Sequence, residues 1–223
     1  MSRFKELFQK LEIVDCEEKI FEEAFTHPTY SHDHNLNYSY DRLEYFGDAI
    51  ISKIVAEYLF NKYKDSDSGA MSVNRSLMVQ SRSFIKTAKD LNFDKYVKVG
   101  VAIQNQNIFP EKIFEDIFEA FICAIYLTFG EESAKKVIFK TIITSFENNE
   151  FDDNNDFKTM LKHLCKDSEI EYIKKQKDDS VFIVDVLIDS KLIASATAHK
   201  MKDAENDAAH NAYKILLGHE IAK

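Results

Sequence analysis

Four acids sit where a helix would be expected to carry apolar side chains. In Asp41-Arg-Leu-Glu44-Tyr-Phe-Gly-Asp48-Ala-Ile-Ile51-Ser-Lys-Ile-Val55, a pitch of about 100° per residue sets Glu44 and Asp48 about 40° apart. Ile51 and Val55 then fall within about 20° of Glu44, so the two carboxylates continue an apolar line. Asp41 stands about 60° from Glu44, at the start of the same segment. Further on, residues 117–129 carry one charge in thirteen positions, Glu119. Asp116 opens that run about 60° from Glu119, in line with Ala120, Cys123 and Leu127. A helix apolar on all sides is a buried one, and an ionised carboxylate buried without a partner costs several kcal/mol. Acids at i,i+4 and i,i+3 spacing on two helices could instead converge on hard divalent cations, which take oxygen ligands.

Two plainer arrangements stand beside metal ligation. Glu44 and Asp48 would favour a helix N-terminus by about 0.3–1 kcal/mol. Asp116 and Glu119 would pair with Arg42, Arg75 or Arg82 in a structural ion pair. Composition and spacing leave all three open.

The elements that must position these acids read as helices. Apolar spacing predicts them over 4–11, 17–25, 41–63, 71–91, 112–129 and 132–146. Breaks are expected at His27-Pro28, over 64–69, over 100–110 and at Gly130, with Ser68 or Ser72 capping the helix after Gly69. An acidic stretch over 148–155, with one apolar residue in eight, reads as a linker. Beyond it the period changes. A short helix over 156–165 is followed by strands over 172–177, 181–188 and 191–198, with Asp189-Ser190 as a tight turn. An Ala-rich helix over 201–217, stopped at Gly218, completes an αβββα order. The fold class expected is therefore an all-α domain over 1–147 and a small α+β domain over 156–223.

Bulk composition narrows the rest. With 45% hydrophobic and 13% aromatic residues, 223 residues can build a core, which excludes wholesale disorder. No run of about 18 apolar residues offers a membrane span. The start, Met1-Ser-Arg-Phe-Lys-Glu, lacks the apolar core of a secretory signal and points to a cytoplasmic protein. Cys16, Cys123 and Cys165 are scattered and read as reduced thiols. A net charge of −9 argues against nucleic-acid binding by bulk electrostatics. Most of that charge belongs to residues 1–155, and residues 156–223 sum to only −1.

The stretch Asp41-Arg-Leu-Glu-Tyr-Phe-Gly-Asp-Ala-Ile50 resembles the signature of the ribonuclease III family, usually Asn-Glu-Arg-Leu-Glu-Phe-Leu-Gly-Asp-Ala/Ser. Ala24-Phe-Thr-His-Pro-Thr-Tyr30 resembles the preceding Ala-Leu-Thr-His motif. Lys112-Ile-Phe-Glu-Asp116-Ile-Phe-Glu119-Ala-Phe-Ile resembles the later Ile-Leu-Ala-Asp-x-x-Glu-Ala-Leu-Ile helix. The αβββα order is similar to the family's double-stranded-RNA-binding domain. The resemblance implies that Glu44, Asp48, Asp116 and Glu119 are catalytic metal ligands for Mg²⁺, with Mn²⁺ as a substitute. It implies metal-assisted hydrolysis of phosphodiesters in double-stranded RNA, leaving short 3′ overhangs, in the processing of structured precursors. It also implies a homodimer, with Tyr45 standing where a Phe reaches the partner subunit; core packing is the other reading of Tyr45. Asp41 replaces the usual Glu and is expected only to support the site. The rival is an inactive RNA-binding or assembly protein on the same fold, against which all four acids are intact.

The C-terminal match is looser. Lys158, Lys162, Lys166, Lys200 and Lys202 are the expected RNA contacts. Yet Met201 takes a lysine position, Lys162, His163 and Lys166 stand where amide side chains are usual, and Lys175-Gln-Lys-Asp178 replaces a Gly-Pro-x-His loop. Weak, salt-sensitive binding is expected. His27, His32 and His34 read as loop histidines, Cys123 as a small hydrophobe, and Ser31 and Ser52 as unsuited to covalent catalysis.

Overall fold

A computed structural model describes residues 3–14, 16, 19–64, 66–106, 110–148, 157–165, 168–178 and 181–216. Through Gln104 the helices are α1 (Lys5–Leu11), α2 (Lys19–Ala24), α3 (Pro28–Asp33), α4 (Asp41–Lys62), α5 (Ser68–Met78), α6 (Ser81–Asp90) and α7 (Val101–Gln104). They continue as α8 (Glu111–Phe129), α9 (Glu131–Ile138) and α10 (Thr144–Glu147), with a π-helical turn over Phe139–Ile143. The last segment has α11 (Phe157–Leu164), β1 (Ile170–Asp178), β2 (Val181–Ile188), β3 (Lys191–Ala198) and α12 (Met201–Leu216). Contacts divide the chain into two compact units: Met1–Tyr58 with Arg75–Phe151, and Leu59–Asn74 with Asp152–Lys223. Compactness thus groups 59–74 with the C-terminal segment, whereas composition divides the chain at 148–155; Asn149 to Asn155 lie outside the described residues.

The first unit is built around α8, whose residues from Ile113 to Ile125 are almost all buried. Phe21, Phe25, Phe84, Phe93, Phe118 and Phe121 are fully enclosed. Most of these rings meet edge-on or tilted, as in Phe25–Phe93 at 4.9 Å and Phe93–Phe121 at 5.2 Å between centroids, while Phe84 stacks on Phe118 at 5.3 Å. The apolar run predicted to be buried over 117–129 is the centre of a core as far as Ile125, whereas Leu127, near the end of the helix, is exposed.

Gly47 sets how close α4 can come to this core. A Cβ built on it would lie 2.0 Å from the Glu119 carbonyl oxygen, so only glycine permits the backbone contact that brings Glu44 beside α8.

Three sequence expectations fail here. The predicted helix over 71–91 is two helices: Gln80 takes extended angles, and the Ser83 hydroxyl donates to the Leu77 carbonyl at 3.0 Å, satisfying a group that a continuous helix would have used. The break expected at His27-Pro28 is present, between α2 and α3, but the histidines after it, read as loop residues, lie on α3 and its cap. Its proline stands at the first helical position, where no N–H is needed, and His27 Nδ1 accepts the Thr29 N–H. His32 and His34 therefore belong to a helix and its cap. The cap of α5 is Asp67, which accepts the Ala70 N–H at 2.8 Å, and neither serine.

In the second unit β1, β2 and β3 form an antiparallel meander in that order. Val184 and Val186 are buried at alternate positions of β2, and α12 covers that face with Ala204, Ala208, Ala209 and Ala212, all fully buried. Alanines let the helix lie close on the sheet. Asp189 and Ser190 both take positive φ, 48° and 64°, as a two-residue hairpin turn demands. One detail differs from expectation: Lys175 to Asp178 belong to β1, whose pairing with β2 runs to Asp178, so they are strand rather than loop. Gly218 lies outside the described residues.

Candidate active site

Among the described residues one group of acids could hold a metal ion: Glu44, Asp116 and Glu119, each with a carboxylate oxygen within 4.8 Å of the others. α4 supplies the first and α8 the other two. Asp116 and Glu119 are buried, at 7% and 6% exposure. Asp48, the fourth acid expected, is exposed and stands outside this trio, though close enough for its charge to act on Glu119. Asp41 is exposed, accepts a hydrogen bond from Ser39 at 3.0 Å, and its charge reaches Glu44 and His27.

The crowding shows in proton affinity. Burial first, then the charge of Asp48, pushes the Glu119 pKa up to about 8. Glu44 is raised as well, by burial and by Asp116. The balancing cation is Lys112, one turn before Asp116 on α8, and not an arginine. Its Nζ lies 2.7 Å from Asp116 Oδ1, 3.5 Å from Glu115 Oε2 and 4.0 Å from Glu44 Oε1. Burial opposes the charge on Lys112, but Asp116, Glu115 and Glu44 together raise its pKa. Tyr40 Oη donates to Asp116 Oδ2 at 3.0 Å, which fixes that carboxylate. Burial and the charge of Asp116 push the phenol's own pKa up. Neither Lys112 nor Tyr40 was singled out by the acid pattern, although the i,i+4 spacing of Lys112 and Asp116 is a readable ion-pair signal.

The donor set fits a hard divalent ion. All three candidate donors are carboxylate oxygens, and buried Asp116 Oδ1 is held by the Lys112 ammonium 2.7 Å away.

A family model for Ribonuclease-III-like proteins matches residues 17–146, and one for the double-stranded RNA binding motif matches 157–216. The ribonuclease 3 of Pediococcus pentosaceus is 33% identical over 221 residues, 95% of each chain. The chain belongs to the ribonuclease III family. The ribonuclease 3 of Mycoplasmoides gallisepticum is 42% identical over 158 residues, 71% of this chain, but the match takes in only 24% of that longer protein. Among solved structures, the nuclease domain of ribonuclease III from Campylobacter jejuni superposes with a TM-score of 0.59 at 32% identity, covering 65% of this chain and 99% of that one. The helical domain followed by a three-stranded sheet and a closing helix is the fold expected of a family member with its RNA-binding domain.

Tyr45 is 83% exposed, so the core-packing reading of this ring is overturned. Next to it the half-exposed Phe46 meets Tyr126 edge-on at 5.9 Å. Cys123 is buried, and burial lifts its thiol to about 11, which leaves it a small hydrophobe. Ser31 donates its hydroxyl to the Tyr38 carbonyl.

In the RNA-binding domain Lys162, Lys200 and Lys202 are exposed. Lys158 is not free in that way. It and Lys174 both pair with Glu205, a buried acid in the first turns of α12. Lys175 pairs with Asp185 at 2.7 Å. Lys166 and the side chain of His163 lie outside the described residues.

Proposed function

We propose that this chain is a Mg²⁺-dependent endoribonuclease that cuts double-stranded RNA, with Mn²⁺ able to substitute. It would act in the cytoplasm on structured precursors and leave short 3′ overhangs. The observation that carries this reading is the meeting of Glu44, Asp116 and Glu119 at the α4–α8 contact, three carboxylates with one lysine beside them. These three acids would hold the ion, with Asp48 at the exposed edge as the fourth catalytic carboxylate and Asp41 as a supporting charge. A bound divalent ion supplies Lewis-acid polarisation of a phosphate and a water of lowered pKa. The chain's own part is to orient Asp116 through Tyr40, to present ionised carboxylates, and to keep the site rigid through the Gly47 contact.

Pairing as a homodimer is the proposed assembly, with Tyr45 and Phe46 at the interface. The C. jejuni nuclease domain is described as having a region involved in dimer formation, and Tyr45 and Phe46 set two neighbouring aromatic rings at the surface, 83% and 43% exposed. Lys162, Lys200 and Lys202, with Lys166, would meet phosphates of the duplex, while Lys158 contributes mainly to folding through Glu205. No helix among the described residues is long and apolar enough to cross a membrane.

The test is incubation of long duplex RNA with wild type and Glu119→Gln, each with Mg²⁺ or with chelator. Cleavage by wild type in Mg²⁺ alone supports the reading. The variant should lose at least about a thousandfold in rate, roughly 4 kcal/mol of transition-state stabilisation. Binding without cutting in every lane overturns it in favour of a non-catalytic RNA-binding protein. Gel filtration at the mass of a single chain would overturn the dimer.

A further inference from the structure

The acid trio has a counter-ion of its own, and the position of that counter-ion bears on how the site takes up metal. Lys112 reaches Asp116, Glu115 and Glu44 at once. Its contact with Asp116 falls on the buried oxygen Oδ1, at 2.7 Å. The other oxygen, Oδ2, is already taken by Tyr40. One oxygen cannot offer the same lone pairs to an ammonium and to a divalent ion, and two cations sharing one carboxylate repel. The stem of Lys112 is anchored on α8, but its side chain is 62% exposed, so the ammonium can swing aside without unpacking the core. Glu115 gives it a place to go. Its side chain is on the same helix, 3.5 Å from Nζ, outside the trio, and accepts a hydrogen bond from Ser81 at 2.7 Å.

We propose that Lys112 is a built-in competitor for the metal: its ammonium neutralises the trio until a divalent cation arrives, and binding of that cation displaces it toward Glu115. The inference rests on the metal-dependent reading and deepens it. Lys112 acts as a positioning residue, holding Glu44 and Asp116 together against their mutual repulsion. It also sets the Mg²⁺ concentration at which the site fills. Loss of the lysine removes the competitor but leaves the carboxylates to repel one another in chelator.

The experiment compares the full chain as wild type, Lys112→Met and Lys112→Gln, by calorimetric titration with Mg²⁺ at pH 8.5. Thermal unfolding is followed in chelator and in Mg²⁺ alongside. Both variants should bind Mg²⁺ more tightly, by roughly tenfold, the scale of one unit charge acting across a few ångströms of partly solvated protein. They should also unfold at lower temperature than wild type in chelator and gain more from Mg²⁺. Wild-type binding with equal or weaker binding by both variants overturns the competitor and leaves the metal site standing. Absence of Mg²⁺ binding by all three proteins overturns the metal reading and this inference together.

Discussion

The two compact units handle buried charge in opposite ways. In the nuclease unit Glu44, Asp116 and Glu119 share one lysine, and two of them are held at raised pKa. In the RNA-binding unit Glu205 has two lysines to itself, and those hydrogen bonds, from Lys158 and then Lys174, hold its carboxyl below the usual range. An acid with excess cation is finished as a structural group. Acids with too little are finished only when another cation is supplied. Both clusters contain buried carboxylates, so burial alone does not mark a site; the balance of charge around it does.

Beyond the acids themselves, the largest expected effect comes from moving the two helices that create the crowding. Gly47→Ala places a methyl group against the Glu119 carbonyl, a backbone atom that cannot rotate away. Pushing α4 off α8 should cost about 1–3 kcal/mol or more in denaturant unfolding. It should also lower cleavage more than a hundredfold, about 2.7 kcal/mol at the transition state, because Glu44 no longer meets Asp116. Normal activity in Gly47→Ala would mean that the trio is not the working site.

How much of this was legible beforehand follows from the same contrast. The hairpin turn at Asp189-Ser190 and the strands over 181–188 and 191–198 were readable because β-branched runs and turn residues act locally. Glu44, Asp116 and Glu119 stood out because acids on apolar helix faces conflict with burial. What could not be read was set by contacts between elements. The Gln80 break depends on a Ser83 hydroxyl competing for a carbonyl, and the tying of Lys158 depends on Glu205 lying opposite it after folding. Asp48 had the right spacing for the cluster, but spacing fixes an angle about one helix and not the distance to another.

Protonation separates the two units further. Glu119 has an ordinary value of 4.5 and sits at about 8 when folded. Between those pH values the folded chain holds a proton that the unfolded chain releases. Stability in chelator should therefore fall as pH rises through this window, by a few kcal/mol at most, and level off above it. Glu44, also raised, adds in the same direction. Glu205 has the opposite sign: its folded pKa is depressed, so its contribution is present above about 4.5 and is lost as pH falls below that value. Amide hydrogen exchange read peptide by peptide should show the nuclease unit loosening toward pH 8 and the RNA-binding unit loosening toward pH 4. Mg²⁺ should abolish the first trend, with protons released on binding, and leave the second untouched. A single pH profile shared by both units would erase the distinction.

The smallest effect probes the saturated cluster. Glu205→Gln removes the one acid that Lys158 and Lys174 share while keeping its size and its capacity to accept a hydrogen bond. Both lysines are roughly half exposed, at 42% and 49%, so solvent screens much of the lost attraction and the stability cost should be about 1 kcal/mol. The more telling readout is RNA affinity, measured by fluorescence anisotropy in chelator so that no cleavage occurs. If Glu205 occupies cations that would otherwise face phosphates, the variant should bind duplex RNA more tightly, and the slope of log affinity against log salt should steepen by about 1–2. An unchanged slope would show that Lys158 and Lys174 point away from the duplex. The exposed Lys162, Lys200 and Lys202 would then carry the binding, and Glu205 would serve only to join α11 and β1 to α12.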